Sequence, residues 1–248
     1  LFAQPTLGLE VSFNGTANGT DEINTMVKDN LNNIIVSGTS SESGSGNDIT
    51  TIKYSSSGVP LWERHYNGPG NSSDLARSIT LDANNNVYVT GFSVGIGTGF
   101  DIVLIKYDIN GNEKWVKRYS TAGFDIGLVV SSDLNNNIII GGQSENKIIA
   151  IKYDTLRNQL WTSSFNLLPN TSNIGYLSIT RNGNVYIAGG IDINGYDFIS
   201  VKFNSNGNIV WGKYFNSGNS NFDHVHSCCT DSLGNLYVTG KSNSDITT

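Results

Sequence analysis

The chain has 248 residues, a formal net charge of −6, 15% charged side chains, and 28 glycines against 4 prolines. That length buries a substantial core in one or two domains. An acidic chain without a Lys/Arg cluster is a poor partner for phosphate backbones, and no apolar run reaches the ~20 residues of a membrane helix. Cys228 and Cys229 are adjacent, so they cannot staple distant segments and say little about redox compartment.

From the N-terminus, residues 1–8 read as a tail. Leu1-Phe2-Ala3 suits the end of a secretory signal, with its small residue near a cleavage point, and suits an ordinary frayed terminus equally. Residues 9–248 then form one repeat domain. A turn-plus-strand phrase recurs as "NNIIVSG" (32–38), "NNNVYVTG" (84–91), "NNNIIIGG" (135–142), "NGNVYIAG" (182–189) and "LGNLYVTG" (233–240). Trp62, Trp115, Trp161 and Trp211 are spaced by 53, 46 and 50 residues, and "IKY" or "VKF" at 52–54, 105–107, 151–153 and 201–203 keeps the same period.

Each unit reads as four short strands. In residues 75–119 these are "LARSITL" (a, 75–81), "VYVTG" (b, 87–91), "DIVLIKY" (c, 101–107) and "EKWVKRY" (d, 113–119). Alternation and β-branched and aromatic content favour strand over helix. The Asn/Asp/Gly clusters "DANNN" and "DINGN" supply the hairpin turns. Strand c is apolar along one face (Val103, Ile105, Tyr107) and half of the other (Ile102), so sheets cover it on both sides. Four-stranded units of this length stacked face to face around an axis make an all-β propeller of antiparallel blades.

The pattern D-x-x-N-N-x-Y-V-T-G followed by D-x-x-x-I-K-Y-x-x-x-G-x-x-x-W-x-x-x-Y-N-G resembles the bacterial SBBP repeat, best over residues 48–91. The resemblance covers nearly all of the chain after residue 9 and implies a secreted or cell-surface protein, often within large adhesin-like chains. The family name also implies seven blades, and this chain supplies about five. "LEVSFNGTANGTDEI" (9–23) aligns with "WERHYNGPGNSSDLA" (62–76), so residues 9–14 are a strand d, while "DITT" (245–248) starts a strand c. That phase predicts a ring closed by the N-terminal strand, and it equally suits a fragment of a longer chain.

The face bearing the d–a and b–c connections is the candidate binding face. Its b–c loops vary ("SSESGSGN", "SVGIGTGF", "QSEN", "IDINGY"), whereas the opposite turns are uniform. The candidates are Asp74, Asp101, Asp125, Asp197 and Asp223 with Phe100, Phe124, Tyr196 and Phe222. Repetition of the acids at one phase favours local loop capping over Ca²⁺, for which Asp74 and Asp101 are the candidate ligands. Lys53, Lys106, Lys152 and Lys202 are expected to pair with turn aspartates such as Asp29, Asp82 and Asp133. Strand a lines the channel, which nominates Arg77, His224 and His226; the histidines read as ordinary channel residues unless a third metal ligand joins them.

No GxSxG, HExxH, P-loop or close acid pair is present, which argues against an enzyme. The expected function is a non-enzymatic, secreted or cell-surface binding or scaffold module for a protein or glycan, with no nucleic-acid partner, no membrane span and no required cofactor. The rivals are a structural subunit that self-assembles by inter-chain strand pairing, and a glycan-active hydrolase or lyase.

Overall fold

The structure is a computed structural model that describes residues 10–167, 174–179, 183–191, 197–215, 224–242 and 245–247. Blade 1 comprises β1 (Glu22–Lys28), β2 (Ile34–Glu42), β3 (Gly46–Tyr54) and β4 (Pro60–Tyr66). Blade 2 comprises β5 (Asp74–Leu81), β6 (Val87–Gly95), β7 (Gly99–Tyr107) and β8 (Glu113–Tyr119). Blade 3 comprises β9 (Asp125–Ser132), β10 (Ile138–Ser144), β11 (Lys147–Tyr153) and β12 (Gln159–Asn166). Blade 4 comprises β13 (Ile174–Ile179), β14 (Val185–Ile191), β15 (Asp197–Phe203) and β16 (Ile209–Phe215), and blade 5 β17 (His224–Thr230), β18 (Leu236–Ser242) and β19 (Asp245–Thr247). Four sheets have four antiparallel strands in chain order and the fifth has three described strands. The chain is therefore an all-β propeller of five blades, with β1, β5, β9, β13 and β17 as neighbouring inner strands.

The hairpin turns owe their shape to one side-chain device. The Asp82 carboxylate accepts the N–H groups of Asn84 and Asn86 at 2.9 Å each and the Asn86 side-chain amide at 2.8 Å. The same three bonds form at Asp29, Asp108, Asp133, Asp154 and Asp231. The fourth turn residue takes positive φ, as at Asn32, Asn85, Asn136 and Gly111, which is why Asn and Gly recur there.

Blades pack by interleaved faces. Ile35, Ile49 and Trp62 of blade 1 meet Val87, Val89, Val103, Ile105 and Tyr107 of blade 2. Tyr88, Ile102, Leu104 and Trp115 repeat the contact onto blade 3, and Ile139, Ile148 and Trp161 onto blade 4. The tryptophans also reach the next blade's c–d turn: Trp62 Nε1 donates to the Ile109 carbonyl at 3.2 Å and Trp161 Nε1 to that of Ser205 at 3.0 Å. Gly111 and Gly207 leave space for these rings, since a Cβ at either would lie 2.6–2.7 Å from the indole.

One expectation needs correction. The b–c segments 40–47 and 93–100 are mostly strand, because β2 runs to Glu42 and β3 starts at Gly46, and β6 runs to Gly95 and β7 starts at Gly99. Glycines at positive φ (Gly44, Gly46, Gly97, Gly99) close these hairpins tightly. The expected pairing of 9–14 with the last blade is not among the described pairings: residues 10–14 carry no strand assignment, and residue 9 lies outside the described residues. Just beyond it the chain is tied to blade 1, where Gly15 N–H donates to Asp21 at 3.0 Å and Thr16 Oγ1 to Glu42 at 2.6 Å. Val11 and Phe13 line a cavity of about 500 Å³ with Ile23, Met26, Val36 and Ile52.

Two measurements check this packing. Trp115, only 9% exposed, should cost ~3–5 kcal/mol when replaced by Ala; an unchanged melting temperature would contradict its placement between blades. Gly97→Ala and Gly111→Ala share a φ of +78°, but only the second drives a Cβ into an indole. Gly97→Ala should show only the left-handed strain of ~1–2 kcal/mol, and Gly111→Ala distinctly more by chemical denaturation.

Candidate functional site

The loop face is built from hairpin ends capped by its acids. Asp74 Oδ2 accepts the Gly68 N–H at 2.5 Å, and Asp125 accepts the Thr121 N–H at 2.5 Å and its hydroxyl at 2.9 Å. Asp48 accepts Ser45 Oγ at 2.7 Å, and Asp101 accepts Thr98 Oγ1 at 2.9 Å and the Arg118 guanidinium at 2.7 Å. Arg118 spends its other donors on Ser93 and on the Tyr66 hydroxyl. The second oxygens of Asp48, Asp74 and Asp101 have no donor among the described residues. Burial pushes the Asp74 carboxyl up from its ordinary value, partly offset by the Ser93 hydroxyl, the Gly68 N–H and the Arg118 charge. Burial pushes Asp48 up as well, against the hydrogen bond from Ser45.

The candidate ligands Asp74 and Asp101 thus hold their own loops, and Arg118 stands where a cation beside Asp101 would sit. Among the described residues no three His, Cys, Asp or Glu side chains gather as a metal set. Asp197 begins β15, but its side chain lies outside the described residues, as do Asp223, Tyr196 and Phe222.

The recurrent lysines divide by their cross-strand neighbour. Lys53 and Lys152 lie opposite Ile35 and Ile139, and each reaches its turn aspartate, Asp29 or Asp133, at 2.8 Å. Lys106 and Lys202 lie opposite Tyr88 and Tyr186, whose rings fill that space. Tyr88 takes the Asp82 carboxylate at 3.1 Å, and Lys106 stacks 5.1 Å over the tyrosine ring and donates to the Thr155 carbonyl at 3.3 Å. The expected Lys–Asp pairing therefore holds in blades 1 and 3, a lysine–aromatic contact replaces it in blade 2, and in blade 4, whose sequence has Thr180 in place of the turn aspartate, Lys202 lies 5.0 Å over the Tyr186 ring. Burial pushes the Lys106 ammonium down from its ordinary value, partly opposed by Asp82.

The inner strands carry a feature that residue types alone did not reveal. Each pairs with its neighbour through a one-residue register shift, which bulges out Asn24, Arg77, Leu128, Gly175 and His226. A bulge re-aims its side chain, and these five lie at one level of the channel wall while differing completely in chemistry. Asn24 bridges to the Ala76 carbonyl at 3.1 Å. Arg77 is exposed, with its guanidinium carbon 5.7 Å from the centre of the Phe92 ring. Phe92 packs on Phe100 at 4.5 Å, and Phe100 on Phe124 at 5.4 Å. Phe92 is 6% exposed and Phe124 64%, so the row climbs from the interior to solvent. The structure thereby joins Phe100 and Phe124 to the channel residue Arg77 through Phe92, which the sequence reading had not singled out.

His226 is exposed at its bulge, while His224 begins β17 with its side chain outside the described residues. Both cysteines are free thiols. Cys228 packs beside Phe198 and Val225, and burial pushes its thiol up to about 11.

Residues 210–247 match the family model described as the SBBP beta-propeller repeat. A comparison with curated proteins gives no match. Among solved structures, a protein of unknown function from Bacteroides caccae aligns with a TM-score of 0.55 and 14% identity, over 91% of this chain and 73% of its own. The periplasmic gluconolactonase of Pseudomonas aeruginosa aligns with a TM-score of 0.60 and 12% identity, over 88% of this chain and 65% of its own. A protein of unknown function from Dyadobacter fermentans aligns with a TM-score of 0.60 and 7% identity, over 90% of this chain and 76% of its own. At these identities the likeness is one of fold.

The buried Lys53–Asp29 pair gives an acid signature. Burial raises the Asp29 carboxyl, but the hydrogen bonds from Lys53 and Asn33 outweigh it and bring the folded value from 3.8 down to about 2. A depressed carboxyl stabilises the fold above its unfolded value, and that contribution is lost as pH falls from about 4 towards about 2. Thermal melts across this window should show the loss in the native chain and a smaller loss in Asp29→Asn. Parallel losses in both would assign the acid sensitivity elsewhere.

Proposed function

We propose that this SBBP-repeat β-propeller is a non-enzymatic binding module, secreted or displayed at the cell surface, whose loop face receives a protein or glycan. One observation carries the proposal: the row Phe92–Phe100–Phe124 rises to an exposed ring on the face whose loops vary, with Arg77 at its inner end. Rigid aromatics supply contact area at little entropic cost, and a buried base holds the outer ring in position. The described acids of that face, Asp48, Asp74, Asp101 and Asp125, serve as loop caps, which leaves the aromatic row and Arg77 as its recognition chemistry among the described residues. The SBBP match and the periplasmic origin of one structural neighbour support a site of action outside the cytoplasm.

The test is a paired surface scan. Phe124→Ala and Ile96→Ser on the loop face, and Leu134→Ser and Leu156→Ser on the opposite turns, are each assayed against immobilised glycans and cell-envelope protein fractions. Loss confined to the loop-face variants is expected. Loss confined to the turn variants would overturn the assignment, and turnover of a glycan by the purified chain would replace binding with catalysis.

A further inference from the structure

We infer that Arg77 and the Phe92–Phe100–Phe124 row form a subsite for a carboxylated glycan, with a sugar ring on the exposed Phe124 and a sugar carboxylate on the guanidinium. This rests on the loop face being a binding surface and adds the ligand's charge and orientation.

The argument starts from Arg77. It occupies the bulge of β5, so its side chain leaves the pleat that would have aimed it at a neighbouring sheet. Among the described residues it has no carboxylate partner and no hydrogen-bond acceptor; its recorded contact is the Phe92 ring. The other arginines of blades 1 and 2 are committed. Arg64 donates to the Gly111 and Glu63 carbonyls at 2.6 Å each, and Arg118 is bound by Asp101, Ser93 and Tyr66. Among the described residues Arg77 therefore presents a planar fork of uncommitted N–H donors, oriented by a ring beneath it.

The surroundings favour an anion there despite the net charge of −6. Asp101 is neutralised by Arg118 at 2.7 Å, and Asp74 and Asp125 are fully buried and capping their loops. The exposed Glu145, whose N–H donates to the Phe124 carbonyl at 3.0 Å, flanks the opposite end of the row. The row thus has a cationic inner end and an anionic outer end. A sugar chain fits both, placing a carboxylate on Arg77 and hydroxyls towards Glu145. The exposed Phe124 ring, held from behind by Phe100 and Phe92, offers a flat surface to the apolar face of a sugar. A single guanidinium serves one carboxylate per few rings, and an acidic chain without a basic cluster does not suit closely spaced phosphates.

The experiment uses the full chain on an array of uronate- and sialate-bearing oligosaccharides printed beside their carboxyl-reduced counterparts. Oligothymidylate and Asp/Glu-rich peptides are included as further probes. At least one carboxylated glycan should bind about tenfold tighter than its reduced form, and this preference should shrink with added salt. Arg77→Ala should abolish the preference, Arg77→Lys should restore part of it, and Phe124→Ala should weaken both forms alike. Equal binding of the two forms, an unchanged preference in Arg77→Ala, or binding of the peptides or oligothymidylate in place of glycans would overturn the inference. Reduced glycans held through Phe124 without charge preference would remove the role of Arg77 and leave the binding face standing. No binding to the loop face by any probe or protein fraction would remove both.

Discussion

The carboxylate of the turn aspartate is the contact on which the rest of this propeller depends. It gathers two backbone N–H groups and a side-chain amide, and so closes each hairpin in one shape. That shape turns outward the carbonyl of the residue after the aspartate. At Ile109 the carbonyl receives both the indole of Trp62 and the ammonium of Lys53 from the preceding blade. In blades 1 and 3 the aspartate of the a–b turn also anchors the buried lysine. A local motif thus becomes a long-range one: the residues that close a hairpin are those the neighbouring blade docks against.

This division of labour explains why the two faces of the disc differ. On the turn face every residue of the five-residue staple has a backbone or inter-blade duty, down to Asn85 and Asn136, whose carboxamide oxygens accept N–H groups of the preceding turn. On the loop face the hairpin ends are closed by glycines and capped by acids that ask little of the residues between them. Ile96, 80% exposed, and Phe124 sit where the scaffold makes no demand on them. The inner-strand bulges have the same freedom, since a residue outside the ladder is released from pairing and packing. Asn24, Arg77, Leu128, Gly175 and His226 differ for that reason.

Legibility in the sequence follows the range of each interaction. The Trp and "IKY" periods, the turn motif and the blade count were all readable, because each rests on residues within one unit. The loop-capping role of Asp74 and Asp125 was readable too, from its repetition. The bulges were not, since a register shift exists only between paired strands; their one trace was the irregular third residue after each rim aspartate. The lysine partner differs in blade 2, because the deciding residue is the cross-strand Tyr88 rather than the lysine's own neighbours, and in blade 4 the sequence has Thr180 in place of the turn aspartate. The b–c hairpins were drawn too wide, since polar glycine-rich residues such as "SVGIGTGF" look like loop until glycines at positive φ shorten the turn.

The candidate site is best understood as what remains once the fold's own demands are met. In blade 2 the charges near the loop face sort into pairs and caps: Arg118 with Asp101, and Asp74 with the Gly68 amide. Each has a partner within the fold, and the remaining oxygens of Asp74 and Asp101 are buried away from solvent. Arg77 breaks this pattern while standing on an inner strand, and the aromatic row beneath it offers a hydrophobic footing but no acceptor. A guanidinium with no acceptor among the described residues contributes little to stability, because an exposed cation–π contact is worth only ~0.5–1 kcal/mol. A side chain placed by a bulge, oriented by a ring and unclaimed by the fold is therefore where recognition chemistry has room to act.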